Sequence, residues 1–208
     1  ALDADVYKAD LSQELTPDDI QRVSNNTEGI DLTSLKAIEP ASVFYDWHVH
    51  ETFNQEPHDI YVPYGSGRLM ENYLVWQMRS LRNSSEGRPD PRLHTKVVNV
   101  ISMNVLGAEP LDFPSIAAKL AARFKPFLIF QDQDIRALIK LAFTGKESGV
   151  YKVQDNQIVA AHALLTSHGI EAEPSAAAGL ALYMDRYEHG LVTSSRKSLV
   201  VNTGKGLV

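Results

Sequence analysis

The sequence predicts an α/β protein: three layers, αβα, around a mostly parallel, twisted sheet. Short apolar strands alternate with helical stretches, the order that builds a parallel sheet covered on both faces. Val97-Val-Asn-Val-Ile101 is apolar almost throughout, as a strand buried on both sides must be. Two strand candidates run directly into glycine turns, Gly65-Ser-Gly67 and Thr203-Gly204. Ligands of open parallel sheets bind beyond the carboxyl ends of strands, so these turns are the first places to look for a site.

Taken in order, Asp5-Val-Tyr-Lys8 reads as a short strand. Thr16-Pro17-Asp18-Asp19 supplies an N-cap, a proline for the first helical position and acids for the first turn. That helix is expected to end by Asn25-Asn26, and Gly29 to Pro40 has no helical period. A second helix runs from Pro40 to Phe53, with Val43, Phe44, Trp47 and Phe53 expected inside. Asp59 to Leu74 reads as strand, glycine turn and helix, with Leu69, Tyr73, Trp76 and Leu81 on the buried side. Arg82 to Pro91 is a polar loop rich in Ser, Gly and Pro.

Helices are expected over Ser115–Phe124 and Gln131–Phe143, the latter with Ile135, Leu138, Ile139 and Ala142 in register. A strand at Val150–Val153 follows. Asp155 is expected to cap a helix reaching Ser167, closed by Gly169 at the C′ position. Pro174 opens an alanine-rich helix to about Tyr187, and Leu199–Asn202 is the last strand.

Composition narrows the classes. With 208 residues, 44% hydrophobic and 22% charged, the chain can bury a full core. The formal net charge is −6, and no Lys/Arg block appears, which argues against nucleic acid as a partner. The absence of cysteine removes disulfides, thiolate zinc sites and cysteine nucleophiles. No apolar run approaches the about 18 to 20 residues of a membrane span, so a soluble, cytoplasmic protein is expected.

Several motifs invite chemistry. Gly65 and Gly67 permit positive φ and leave room for a ligand, while the helix that follows offers free amides and a positive dipole end to a phosphate. Tight strand–helix packing would produce the same glycines. The turn is not a dinucleotide fingerprint, because Met70 stands where the third glycine belongs. Gly145-Lys146 lacks the Ser/Thr of a Walker loop, and Tyr64 replaces the first glycine of a nucleophile elbow. His48, His50 and His58 suggest a metal, but a helix splays His48 and His50 by about 200°, leaving hydrogen-bonding or solvated histidines as the default. Glu173 precedes a proline that opens a helix, where a carboxylate meets the dipole favourably. Thr203 places a hydroxyl at a strand's carboxyl end, although a terminal turn explains its glycines equally well.

Four segments in order resemble the large domain of fold-type II pyridoxal-phosphate enzymes, the tryptophan synthase β-like group, and threonine synthase and its relatives in particular. They are VPYGSG within Asp59–Leu69, VQDNQIVAAHALL at Val153–Leu165, GIEAEPSAAAGLA at Gly169–Ala181 and LVVNTGKGL at Leu199–Leu207. The resemblance covers about Gly29 to the end, and leaves 1–28 as a remnant of the smaller domain or an appendage. It implies a cofactor-binding domain over 29–208 that takes pyridoxal 5'-phosphate, with the phosphate ligand on Gly65, Ser66, Gly67 and Arg68. It also implies that Thr203 faces the pyridine nitrogen, that Gly204 belongs to the same cofactor-binding turn, and that Glu173 lies near the ring. A neutral hydroxyl there does not enforce ring protonation as a carboxylate would, which suits elimination or replacement at Cβ or Cγ of an amino-acid substrate. A lyase follows, and the resemblance allows a homodimer.

Departures from the family pattern matter. Arg68 stands where the loop often continues in glycine, and Lys205 replaces the histidine of Thr-Gly-His-Gly. The family's Schiff-base lysine lies far upstream of the phosphate loop. Only 64 residues precede Gly65 here, and their lysines, Lys8 and Lys36, lack its context. The expectation is a portion of a longer enzyme, inactive by itself. The alternative is a non-catalytic module of the same fold that binds another phosphate ligand or a protein, with Arg68 and Lys205 as its supporting features.

Overall fold

The computed structural model describes residues 22, 42–65, 67–85, 103–112, 114–120 and 147–204. Their elements in chain order are α1 (Ser42–Asn54), β1 (Asp59–Pro63), α2 (Arg68–Ser85), β2 (Asn104–Pro110), β3 (Gly149–Val153), α3 (Asp155–Ser167), α4 (Pro174–Glu188) and β4 (Ser198–Val200). The strands form one sheet in the order β3-β2-β1-β4, and every pairing is parallel. All five residues of β1 and all seven of β2 are buried. That is the expected state of central strands with helices on both sides.

The alternation of side chains along β1 divides the core into two clusters. Ile60 and Val62 point to one face, where they join Val49 and Phe53 of α1 and Leu69, Met70, Tyr73 and Leu74 of α2. Tyr61 points to the other, with Leu106, Ala108, Val153, Ile158 and Ala161, and with Ala177, Ala178, Ala181 and Leu182 of α4. The three-layer architecture is thus the one read from the sequence.

Its α1 layer differs in one respect. Trp47 is 67% exposed rather than inward. Asp46, Val49 and Phe53 share the stripe that faces α2, and at 100° per residue that stripe turns Trp47 outward. Asp46 is drawn in because its Oδ1 accepts from Asn72 Nδ2 at 2.7 Å and Trp76 Nε1 at 3.1 Å. The α1 helix begins at Ser42 and ends at Asn54, close to the expected span.

Other boundaries moved for identifiable reasons. The α2 helix continues to Ser85, so residues 82–85 are helical rather than loop. Arg, Asn and Ser weaken a helix without breaking it. The segment 115–120 forms bends and a turn instead of a helix. Ser115 Oγ donates to Asp155 Oδ1 at 2.6 Å, and the Ile116 amide donates to Asp155 Oδ2 at 3.1 Å. Asp155 therefore does not cap α3. Gln154 is the N-cap, and its amide is taken by the Gln157 side chain at 2.8 Å. Gly169 follows the C-cap with φ of 72°, as expected. The strand anticipated at Val97–Ile101, the helix at Gln131–Phe143 and the elements of the first 28 residues lie outside the described residues. The strand that pairs with β1 is Asn104–Pro110. Among the described residues, no helix is long and apolar enough to cross a membrane.

A polar tie joins three strands at their amino ends. Asp59 is buried, and its carboxylate accepts from Arg196 Nε and Nη2, each at 2.8 Å, and from Asn104 Nδ2 at 2.7 Å. Burial alone would push this carboxyl upward. The hydrogen bonds from Arg196 and Asn104 and the arginine charge outweigh it and hold it below the usual carboxylate range. Because the folded pKa is depressed, the tie contributes its stability above the unfolded carboxyl's value, about 3.9, and loses it as pH falls further. The Asp59→Asn variant should be less stable at pH 7 and show a shallower loss of stability below about pH 4, read by urea denaturation across pH.

Candidate functional site

The carboxyl edge of the sheet carries both turns singled out by the sequence. β1 and β4 are neighbours, with Tyr61 opposite Val200. Gly65 and Gly204 each lie four residues beyond that pair, so both turns leave the sheet at the same edge. Two of the expected residues lie outside or next to gaps in the described chain: Ser66 is not described, and neither is Lys205.

The first turn is built by close packing. The Tyr64 amide donates to Ala108 O at 2.7 Å, which keeps the chain beside β2 after Pro63. A Cβ at Gly65 would stand 3.0 Å from Leu120 Cδ2 and 3.3 Å from the Lys119 carbonyl oxygen. A side chain at Gly65 would therefore crowd the 115–120 segment. Gly67 is required by conformation, with φ of 81°. Its carbonyl accepts the Glu71 amide at 2.9 Å and starts α2, leaving the preceding amides of the first turn without intrahelical acceptors.

Arg68 does not extend toward solvent. Its Nη1 donates to Glu71 Oε2 at 2.7 Å, and both side chains are buried. Burial pushes the Glu71 carboxyl up, and the Arg68 charge and hydrogen bond offset part of that. Glu71 Oε1 has no hydrogen-bond partner among the described residues. The pair brings its own compensation to the foot of the turn.

The second turn is open. Thr203 is exposed, and Gly204 has φ of 109°, which suits glycine. The Gly204 amide donates to Asn202 Oδ1 at 2.9 Å, and its carbonyl accepts from the Glu173 amide at 3.1 Å. Glu173 is the N-cap residue of α4, with proline at the first helical position. Its carboxylate forms an ion pair with Lys119. Gly65, Glu173 and Gly204 are thus connected, and Lys119 is the connection.

Lys119 and Asp155 are the residues that sequence reading missed. Lys119 lies in 115–124, where the sequence predicts a helix that 115–120 do not form, and nothing in SIAAKL distinguishes it from a surface lysine. Asp155 is the expected cap of α3, but its carboxylate holds a segment 40 residues earlier. A further cross-strand pair, Glu109 with Lys152 at 3.2 Å, sits at the carboxyl ends of β2 and β3. Of the histidines, His48 and His50 make contacts within the helical layer, whereas His58 Nδ1 accepts from the Lys197 amide at 2.9 Å. His48 Nε2 lies 3.2 Å from the Tyr73 hydroxyl, and His50 packs against Trp76 with ring centroids 5.8 Å apart. Among the described residues, no group of three His, Cys, Asp or Glu could hold a metal ion.

No family model and no curated protein matches the sequence. Solved structures do. A serine racemase from Dictyostelium discoideum matches with a TM-score of 0.52 and 18% identity, over 79% of this chain and 49% of that one. Maize serine racemase matches with a TM-score of 0.51 and 19% identity, over 90% and 56%. The likeness establishes the fold alone: the chain shares the parallel α/β architecture of these two structures. The chain spans about half the length of the racemase structures it matches.

The 115–120 segment depends on the Asp155 carboxylate at its start. Asp155→Ala should raise hydrogen exchange at the Ile116 and Ala117 amides by about tenfold, with the amides of α4 unchanged. Equal exchange in the two proteins would show that Asp155 does not hold the segment.

Proposed function

We propose that the carboxyl edge of this sheet anchors pyridoxal 5'-phosphate, and that the chain is the cofactor-anchoring part of a longer lyase of the threonine synthase-like type. The supporting observation is the register of β1 against β4, which sets two glycine turns at one edge. The residues present fit the group. The phosphate would rest on the Gly65–Gly67 turn and the free amides at the start of α2, where the dipole favours an anion. Ser66 and Arg68 would complete that turn. The Arg68 charge is balanced by Glu71, so the amides and Gly67 do most of the holding.

Thr203 would place its exposed hydroxyl toward the ring nitrogen, with Gly204 keeping the backbone close. Glu173 would border the ring from the start of α4, its position set by its amide's bond to Gly204. When bound, the cofactor withdraws electrons from the substrate's Cα and so permits elimination or replacement at Cβ or Cγ of an amino acid. The described residues bind and orient; the lysine that carries the cofactor covalently belongs to another part of the enzyme. The part-length match to the racemases supports this division.

Titration of the chain with pyridoxal 5'-phosphate, followed by absorbance, should show saturable, reversible binding without a borohydride-fixed adduct at one specific lysine. Thr203→Val should weaken that binding about fivefold, the effect of one lost hydrogen bond. Absence of saturable binding would sink the reading. Binding of inorganic phosphate but not of the cofactor would favour a module for another phosphate ligand.

A further inference from the structure

The segment 115–120 lies against the glycine turn, and one residue of it reaches both halves of the candidate site. The carbonyl oxygen of Lys119 is 3.3 Å from the position a Gly65 Cβ would take. Its ammonium pairs with Glu173, whose amide is bonded to Gly204. Arg68 and Lys119, two described cations of this region, differ in kind. Arg68 is buried against Glu71, whereas the Lys119 side chain is 60% exposed and its partner Glu173 21%.

An ion pair so open to water holds weakly, and its geometry is readily exchanged. A phosphate monoester carries about −1.5 to −2 charge at neutral pH and offers three acceptor oxygens, more than one carboxylate can offer an ammonium. Glu173 can release the lysine at small cost, because the amino end of α4 continues to favour a negative charge there. The polar group left behind is near solvent.

We propose that Lys119 is a ligand-binding cation that exchanges Glu173 for the phosphate of an incoming ligand at the Gly65–Gly67 turn. The inference rests on the phosphate reading of that turn and adds the residue that selects for the phosphate. Glu173 holds the ammonium and competes with the anion for it. Phosphorylated ligands are thereby favoured over their unphosphorylated forms.

Because one partner helps and the other competes, the two charge-removing variants should move affinity in opposite directions. With the intact chain titrated with pyridoxal 5'-phosphate, Lys119→Gln should weaken binding about tenfold, the loss of a charge-assisted hydrogen bond. Glu173→Gln should tighten it a few-fold, about what releasing an exposed pair allows. Pyridoxal without its phosphate should be indifferent to Lys119→Gln. Thermal melts of the variants check that the fold is retained, as expected for two residues outside the core.

Binding of the cofactor with both variants unchanged, or shifted in the same direction, overturns the exchange and leaves the cofactor reading standing. Binding of inorganic phosphate alone, with opposite shifts, supports the exchange and removes the cofactor reading. A chain that binds neither probe overturns both.

Discussion

The site depends on a contact made without side chains on either partner. Gly179 of α4 sits on the backbone of β1 so closely that a Cβ there would stand 3.0 Å from the Tyr61 carbonyl oxygen and 3.3 Å from its carbon. The strand is central and buried, so its backbone cannot yield. Ala177, Ala178 and Ala181 extend the same low surface on the helix. The depth to which α4 settles on the sheet is set there. That depth in turn decides where the N-cap Glu173 stands relative to Gly204 and Lys119. A run of small residues, which looks like little more than helix-forming sequence, thus fixes the position of a charged group one and a half turns away.

The two edges of the sheet are held by different physics. At the amino edge, Arg196 and Asn104 engage the buried carboxylate of Asp59, so three strands are tied around one buried charge. Removing one partner of such a cluster is costly, because the rest stays buried. At the carboxyl edge, Lys119 with Glu173 and Lys152 with Glu109 are pairs whose lysines are more than half exposed. Exposed pairs contribute little to stability and are easily rearranged. Rigidity is concentrated where no ligand is expected and relaxed where one is.

Most of the scaffold was legible in the sequence, and the gaps have local causes. The strand, glycine turn and helix of Asp59–Leu74 were evident because each of its parts has a strong local signal: the run Ile60-Tyr-Val62, the turn glycines, and the helical spacing of Leu69, Tyr73 and Trp76. α4 was equally legible from Glu173-Pro174 and its alanines. β2 was not. Asn104–Pro110 contains Gly107, Glu109 and Pro110, residues that individually disfavour strands. Gly107 is there because Met70 and Tyr64 fill the space its Cβ would need, a tertiary reason invisible locally. Hydrophobicity alone points Trp47 inward, but the pairing of Asp46 with Asn72 and Trp76 sets the inward face of α1. The candidate site was half legible: the glycine turns and Glu173 are marked by backbone chemistry, while Lys119 acquires its meaning only from the fold.

The position of β4 carries a consequence for the order in which the chain assembles. Arg196 and Asp59, which join β4 to β1, are separated by 137 residues, and β1 is otherwise paired only on its β2 side among the described strands. Contacts of such sequence separation form late and slow folding. On the ribosome, β1 emerges early and keeps one edge unpaired until nearly all of the described chain has followed. An apolar strand with an open edge is a template for pairing with another molecule. The last described strand is only three residues long, yet it is what covers that edge of β1.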